Sequence, residues 1–210
     1  MIHKKHYYAM EMEAGGRNLV IEGPVEPERL AAMRFDEGLK AFRPPEQQQQ
    51  ALVGIARLPE GRIMVARDGE LVLGYVTFLH PDPLERWSQA KLEDLLELGA
   101  IEVSHKVRAG GVAKAMLQVS FMDDALEDYI VITTEYYWHW DLKGTGLDVW
   151  AYRKVMEKVM GSVGMVWMAT DDPEICSHPA NCLMARVGKR VPMESIAAFD
   201  AMRFQNRYFY

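Results

Sequence analysis

Apolar positions in the first part of the chain follow two different spacings, one typical of strands and one of helices. Pro27 and Pro45 each stand near the start of a helically spaced stretch, where proline is well tolerated. Asp68-Gly69 separates two apolar runs and is a strong signal for a two-residue hairpin turn. The elements predicted here are a strand over 18–22, helices over 27–40 and 45–58, and strands over 62–67 and 71–79.

The later part of the chain contains one ambiguous stretch, 128–140. Its β-branched run at 130–134 favours a strand, although helically spaced side chains around it also fit a helix. Leu92, Leu95 and Leu96 share one helical face, which predicts a helix around them. The remaining predictions are a helix over 84–96, a strand over 100–103, a helix from Val112, a helix over 148–160, a strand over 165–169, a helix from Pro179 to Gly188, and partly helical structure over 195–204.

Strands alternating with helices predict an α/β or α+β fold with a mixed sheet. The chain has 210 residues, enough for one domain with a sizeable core or at most two small ones. No stretch rich in Gly, Ser and Pro divides it, so we expect a single domain over 1–210 with a flexible start at 1–16.

The charge balance argues against a nucleic-acid partner. Lys and Arg total 24 against 30 Asp and Glu, a net charge of −6, whereas a phosphate-binding surface needs excess positive charge. No apolar run approaches the roughly 20 residues that span a bilayer, and no apolar signal-peptide core follows the basic start. With only Cys176 and Cys182, a disulfide framework is excluded, and we expect a cytoplasmic protein.

The segment 101–113 carries the clearest chemical signal. It combines a strand, a short loop with Gly110-Gly111 and an amphipathic helix. Such a loop can direct backbone N–H groups and the helix N-terminus at an anion, and Arg108 can add charge-assisted hydrogen bonds. Neither a Walker nor a Rossmann glycine pattern is present. On its own, the segment also fits a tight strand-to-helix turn.

Arg108-x-x-Gly111-x-Ala113 resembles the pyrophosphate loop of the Gcn5-related N-acetyltransferase superfamily, and 181–188 resembles its later helix, where an Asn contacts pantetheine. The resemblance implies a twisted, mostly antiparallel sheet, flanked by helices, with a splay between two parallel strands. It also implies acetyl-CoA as the only cofactor, with no metal. The coenzyme-binding residues that it implies are Ile101, Val103, Arg108, Ala109, Gly110, Gly111, Val112, Ala113 and Asn181.

Two longer runs, 81–87 and 135–144, resemble segments of the bacterial acetoin-utilisation acetyltransferases. The similarity to these proteins extends over essentially the whole chain. This resemblance implies a protein lysine acetyltransferase that inactivates acetyl-CoA synthetase, and it makes 123–162 a family-specific insertion. It implies neither a nucleic-acid nor a membrane partner. Two alternatives stay open: a small-molecule amine acetyltransferase, and a non-catalytic acyl-CoA-binding regulator of the same partner.

Acetyl transfer to lysine needs a base, because a free lysine side chain has a pKa of about 10.4 and arrives protonated. Glu97 lies six residues before Val103 on the same strand face, and the resemblance places a catalytic Glu at the start of this strand. Glu102 is the second candidate and Glu135 a weaker third. Each of these side chains also fits a merely solvated carboxylate.

The acid that protonates the leaving thiolate is less defined. The superfamily often has a Tyr four residues before the helix-ending Gly, but Met184 occupies that position. Tyr136, Tyr137 or water could replace it. The aromatic run 136–140 fits core packing, an acceptor channel wall or a docking patch. Spacing argues against a metal site at Cys176 and Cys182, which we expect to be buried structural thiols.

Overall fold

The computed structural model describes residues 1–205, so the last five residues of the predicted domain lie outside the described part. The chain divides into two compact units. We call Ile2–Leu79 with Leu98–Ala125 the N-terminal unit, and Met1, His80–Glu97 and the chain from Leu126 onward the C-terminal unit.

Four antiparallel strands lie side by side in the N-terminal unit, in the order β1-β2-β4-β5. A two-residue strand, β3, pairs in parallel with β5. A further strand, β6, begins in the C-terminal unit and ends in the N-terminal one. The bounds are β1 Tyr8–Ala14, β2 Arg17–Gly23, β3 Arg34–Phe35, β4 Arg62–Asp68, β5 Leu71–Leu79 and β6 Leu95–Val103.

Three helices complete this unit: α1 Pro27–Ala32, α2 Pro45–Ala56 and α3 Val112–Ser120. Proline occupies the first turn of both α1 and α2, where its missing N–H is not needed. A buried apolar cluster, which includes Leu30, Leu52 and Val65, lies between these two helices and the strands. The fold therefore buries the apolar faces that the helical spacing predicted for α2.

Three predictions for this unit need correction. The helix expected over 27–40 ends at Ala32, because the next residues pair with β5 and this long-range pairing outweighs local spacing. The start of the chain is not flexible throughout, since β1 forms seven residue pairs with β2. The hairpin turn lies one residue later than predicted: Asp68 and Leu71 pair, so Gly69 and Glu70 form the turn.

The C-terminal unit has the strand order β6-β7-β9-β8 over its part of β6. The pair β6–β7 is parallel, with Leu95 opposite Ile130 and Glu97 opposite Ile132, and the other two pairs are antiparallel. The bounds are β7 Ile130–Glu135, α4 Leu142–Thr145, α5 Val149–Gly161, β8 Val166–Met168, α6 Pro173–Cys176, β9 Cys182–Val187 and α7 Met193–Arg203.

Two predicted helices are absent from this unit. Residues 84–96 contain only a single 3-10 turn at Arg86–Ser88, and the leucines at their end begin β6. The stretch from Pro179 to Gly188 contains the strand β9, not a helix. Both segments pair with β7, and β9 also pairs with β8. Pairing between distant segments therefore overrides the helical spacing.

The ambiguous stretch 128–140 contains the strand β7, as its β-branched run favoured. The predicted strand over 100–103 is the end of the longer β6. The mixed, mostly antiparallel strands flanked by helices confirm the predicted fold class. No helix among residues 1–205 is long and apolar enough to cross a membrane.

Candidate active site

Glu97 lies on β6 at the last pair of the parallel ladder with β7. Its side chain is half-buried, and the Thr134 hydroxyl donates a hydrogen bond of 3.2 Å to one carboxylate oxygen. Thr134 is fixed in turn by its position in β7, opposite Leu183 of β9. The ladders on both sides of β7 therefore hold this hydrogen-bonded pair in place.

Burial raises the pKa of Glu97 to about 7, and the nearby carboxylates of Glu85 and Asp82 contribute in the same direction. The hydrogen bond from Thr134 opposes this rise. A carboxyl group with a pKa of about 7 is partly ionised at neutral pH and can accept a proton reversibly. A pKa of about 7 is the value expected of a group that exchanges protons at neutral pH.

Tyr136 stands beside this group and shares a hydrogen bond with Thr134. Burial raises its pKa above the ordinary value, and the carboxylates of Glu174 and Asp172 add to the rise. Its ring stacks on Trp138 with a centroid distance of 4.8 Å. Tyr136 is consequently protonated at neutral pH, which makes it a proton donor next to a proton acceptor.

The rest of the aromatic run packs in pairs. Tyr137 lies 4.2 Å from the His178 ring, and Trp140 stacks on Tyr152 at 5.2 Å. Trp138, however, is 45% exposed. The run is therefore partly buried packing and partly surface, so core packing alone does not account for it.

Glu135, the weaker candidate base, is buried and accepts a hydrogen bond of 3.0 Å from the Trp140 indole. Burial raises its pKa. Burial and the neighbouring Glu135 raise the pKa of the Cys182 thiol to about 12. Cys182 is thus the inert structural thiol that we expected, but Cys176 is exposed, contrary to that expectation.

Glu102 is already engaged on both oxygens. One oxygen accepts the Ala41 N–H at 2.7 Å, and the other accepts the Tyr75 hydroxyl at 2.6 Å. The residue is buried, and burial together with Glu102 raises the pKa of Tyr75. Through these contacts Glu102 holds the loop at Ala41 and the buried Tyr75 in place, which is a structural role.

The turn after β6 is held by Asp36, a residue that sequence reasoning had placed in a helix. Its carboxylate accepts hydrogen bonds from Ser104 at 2.8 Å and from Lys106 at 2.5 Å. Burial alone would raise the pKa of Asp36, but the hydrogen bonds that it accepts, led by that from Lys106, lower it. A buried, ionised Asp36 therefore fixes the chain between β6 and α3.

Gly110 and Gly111 have different structural reasons to be glycine. A Cβ on Gly110 would lie 2.4 Å from the Ala14 Cβ, so close packing against β1 requires glycine. Gly111 has a left-handed φ of +76°, and an added Cβ there would meet no atom of the described residues within 4 Å. It caps α3 without a side chain, so no side chain occupies the hydrogen-bonding capacity of the first turn.

The predicted coenzyme residues near this loop all belong to the N-terminal unit. Ile101 and Val103 lie on β6, Arg108 is exposed, and Val112 and Ala113 begin α3. Ala109 belongs to the 3-10 turn before α3, but its side chain lies outside the described part.

Asn181 does not begin a helix, so the basis for its coenzyme contact is wrong. Its amide oxygen accepts the Tyr137 N–H at 3.0 Å, and its NH₂ group donates to the Glu174 carbonyl at 3.2 Å. Met184 is a buried residue of β9 opposite Thr133 and Trp167. Since no helix is present at this position, the comparison of Met184 with the Tyr of the superfamily's helix does not apply.

Sequence reasoning missed Thr134, Asp82, Glu85 and Glu174. The run 81–87 carried a signal for two of them, because it is long and unusual, but nothing in it indicated proximity to Glu97. Among the described residues, no group of three or more His, Cys, Asp and Glu side chains could hold a metal ion.

Comparisons with known proteins extend this picture. The chain is 60% identical over 210 residues to the acetoin utilization protein AcuA of Bacillus subtilis (strain 168), covering 100% of both. A crystal structure of an acetoin utilization protein from Exiguobacterium sibiricum 255-15 is 54% identical, with a TM-score of 0.95 over 97% of each chain. A GNAT-family acetyltransferase from Streptococcus pneumoniae, 12% identical, shares the fold with a TM-score of 0.52 over 81% of this chain and 99% of its own. A comparison with protein-family models finds no match.

Proposed function

Because the chain belongs to the AcuA family of acetoin utilization proteins and has the fold of the Gcn5-related N-acetyltransferases, we propose that it acetylates a lysine of acetyl-CoA synthetase and so inactivates it. The chain is an acetyl-CoA-dependent acyltransferase and acts in the cytoplasm. The proposal depends on one observation: Glu97 is a half-buried carboxyl group with a pKa of about 7, close to the carboxylates of Glu85 and Asp82. A negative surrounding attracts a lysine, and a carboxylate with this pKa can deprotonate it.

The segment 101–113 fits the coenzyme. Gly111 has a left-handed φ and no side chain caps the N-terminus of α3, which suits a pyrophosphate. Arg108 adds positive charge, and the backbone of Ile101 and Val103 would pair with the pantetheine amides. Bound there, acetyl-CoA supplies the thioester whose acetyl group is transferred.

Glu97 is the proposed general base. Its ionised form accepts a proton from the incoming lysine ammonium, directly or through water, and leaves a neutral amine. Thr134 donates to Glu97 and so keeps the carboxylate in one orientation. Glu102 is not part of this step, because both of its oxygens hold other protein groups.

Tyr136 is the proposed general acid for the leaving thiolate. Its raised pKa keeps the phenol protonated, and Thr134 connects it with Glu97. Once the reaction is complete, a proton can return from Glu97 to Tyr136 through the Thr134 hydroxyl. The second proton, which the lysine nitrogen loses as the amide forms, passes to water. Tyr137 is less suited, because its ring packs against His178.

The test is the intact mass of acetyl-CoA synthetase after incubation with acetyl-CoA and one hundredth of its amount of this protein. A gain of about 42 Da, the net mass added when one acetyl group replaces a hydrogen, on most synthetase molecules supports catalysis. Glu97→Gln should abolish the gain, whereas Glu194→Gln, an exposed carboxylate of α7, should retain it. Suppressed synthetase activity at equimolar ratio without a mass gain would favour a non-catalytic regulator. Transfer only to small amines would favour the small-molecule alternative.

A further inference from the structure

Residues 81–88 form a loop, which we call the 81–88 loop, and the tip of this loop carries an unusually exposed apolar side chain. Leu84 is 96% exposed, and no other large apolar side chain among the described residues reaches that value. A single exposed leucine is ordinary on a protein surface. The loop that carries Leu84 is not ordinary, because several contacts hold it in place.

The 81–88 loop is closed on itself by hydrogen bonds. The Ser88 hydroxyl lies 2.8 Å from the Pro81 carbonyl oxygen and 2.6 Å from that of Asp82, and it donates to this pair. The Asp82 carboxylate accepts the Leu84 N–H at 2.8 Å. These bonds join the two ends of the loop and fix the turn at its tip.

The base of the 81–88 loop is anchored in the C-terminal unit. Trp87 is 3% exposed and packs against Phe199, with ring centroids 6.1 Å apart. Arg86 forms ion pairs with Asp171 and, at 3.1 Å, with Asp172. The exposure of Leu84 is therefore imposed by an anchored loop and does not come from a loose one.

The same loop carries negative charge toward the proposed base. Asp82 and Glu85 both act on the Glu97 carboxyl group, and Glu85 in turn faces Glu174. Of these side chains, Asp82, Glu85 and Glu174 are exposed and Glu97 is half-buried. An exposed apolar tip and a carboxylate surface therefore adjoin the place where the lysine would react.

We infer that the 81–88 loop is the docking element for the polypeptide segment that carries the acceptor lysine, with an apolar side chain of that segment against Leu84 and a second basic side chain facing Asp82 and Glu85. This inference rests on the proposed function and narrows it to a protein substrate. The complementarity is chemical: carboxylates attract a basic segment and orient it, and the apolar contact adds affinity. A lone small amine would satisfy Glu97 but would not need Leu84.

The experiment compares Leu84→Ala and Leu84→Asp with Met193→Asp, a matched change at a 74% exposed apolar residue of α7. Two acceptors are used, acetyl-CoA synthetase and a single lysine amide. With the synthetase, Leu84→Asp should raise KM about tenfold and leave kcat within about twofold, since the apolar contact is replaced by a hydrated carboxylate that an apolar partner side chain would have to desolvate. Leu84→Ala should raise KM less, and Met193→Asp should have no effect. With lysine amide, none of the three should change either constant.

Several outcomes would overturn the inference. Normal transfer to the synthetase with an unchanged KM in Leu84→Asp would refute the docking element and leave the proposed function intact. An equal rise in KM for lysine amide would show that Leu84 acts on the amine site itself. A change of oligomeric state in Leu84→Asp, measured by analytical ultracentrifugation, would assign the tip to a second copy of this chain. No transfer by the wild type would overturn the proposed function and this inference together.

Discussion

Two glutamates on one strand, Glu97 and Glu102, have opposite surroundings. Glu102 is 7% exposed and gives both oxygens to Ala41 and Tyr75. Glu97 is half-buried, accepts one hydrogen bond of 3.2 Å, and faces other carboxylates. The same residue type on the same strand is a structural anchor in one place and a candidate base in the other. Free acceptor capacity and the charge of the neighbours make the difference.

The contrast extends beyond these two residues. In the N-terminal unit, the buried carboxylates of Glu22, Asp36 and Asp123 have basic partners, and hydrogen bonds lower their pKa values against the effect of burial. Around Glu97 in the C-terminal unit, burial and like charges raise the pKa values. Paired carboxylates stabilise the fold, whereas unpaired ones cost stability and are typical of functional sites.

The largest expected effect is that of Glu97→Gln on turnover. Loss of a general base lowers kcat by about 10²–10⁴-fold, and the amide cannot accept the proton. Steady-state kinetics with the synthetase at pH 7.5 measures this, with Glu194→Gln as the control. A kcat within twofold of wild type would remove Glu97 from the mechanism.

Tyr136→Phe is expected to lower kcat by about 10²-fold, because it removes the proposed acid and leaves the ring. Its stacking on Trp138 should persist. Near-ultraviolet circular dichroism reports whether that aromatic packing is preserved. A variant with intact packing and unchanged kcat would assign the acid to water or to another group.

Gly111 offers a matched pair of variants for the coenzyme loop. Asn and Asp both tolerate a left-handed φ, and nothing in the described structure obstructs their Cβ. Only Asp places negative charge beside the proposed pyrophosphate, so Gly111→Asp should weaken CoA binding about tenfold relative to Gly111→Asn. Isothermal titration with CoA gives both affinities, and equal values would reject the loop assignment.

Glu102→Gln tests the structural side of the comparison. Gln has one carbonyl oxygen, so its NH₂ group would face one of the two donors, the Ala41 N–H or the Tyr75 hydroxyl. The free energy of unfolding should therefore fall by about 2 kcal/mol. The kcat of the folded protein should stay within about threefold of wild type, because the group lies outside the reaction. Urea unfolding and kinetics together check this. A large loss of kcat at full stability would reverse the roles of the two glutamates.

The local spacing of apolar residues was sufficient to predict an element where tertiary contacts favour the same secondary structure. The helix α2, the strands β4 and β5, and the start of α3 at Val112 were predicted close to their observed bounds. It failed at the leucines before Glu97 and at β9, where helical spacing is real but β7 pairs with both segments. No pattern within a short window can report such a partner.

The residues of the candidate site also differ in whether the sequence could predict them. Glu97 and the loop at Gly111 were found from spacing and resemblance, because each lies within one continuous segment. Thr134 and Glu85 were not, since no local pattern links either residue to Glu97 and only the fold brings them to it. Asn181 was assigned from a helix that is in fact a strand.

The measurement that tests the central claim most directly is the pH dependence of kcat for the wild type and Glu97→Gln. A base must be ionised to accept a proton, so the wild-type rate should fall as pH decreases through about 7, the pKa that burial gives Glu97. Glu85→Gln should move this fall to lower pH, because removal of a neighbouring negative charge lowers the pKa of Glu97. The residual activity of Glu97→Gln should show no such fall. A wild-type profile without a transition near pH 7, or the same transition in Glu97→Gln, would contradict the assignment of Glu97 as the base.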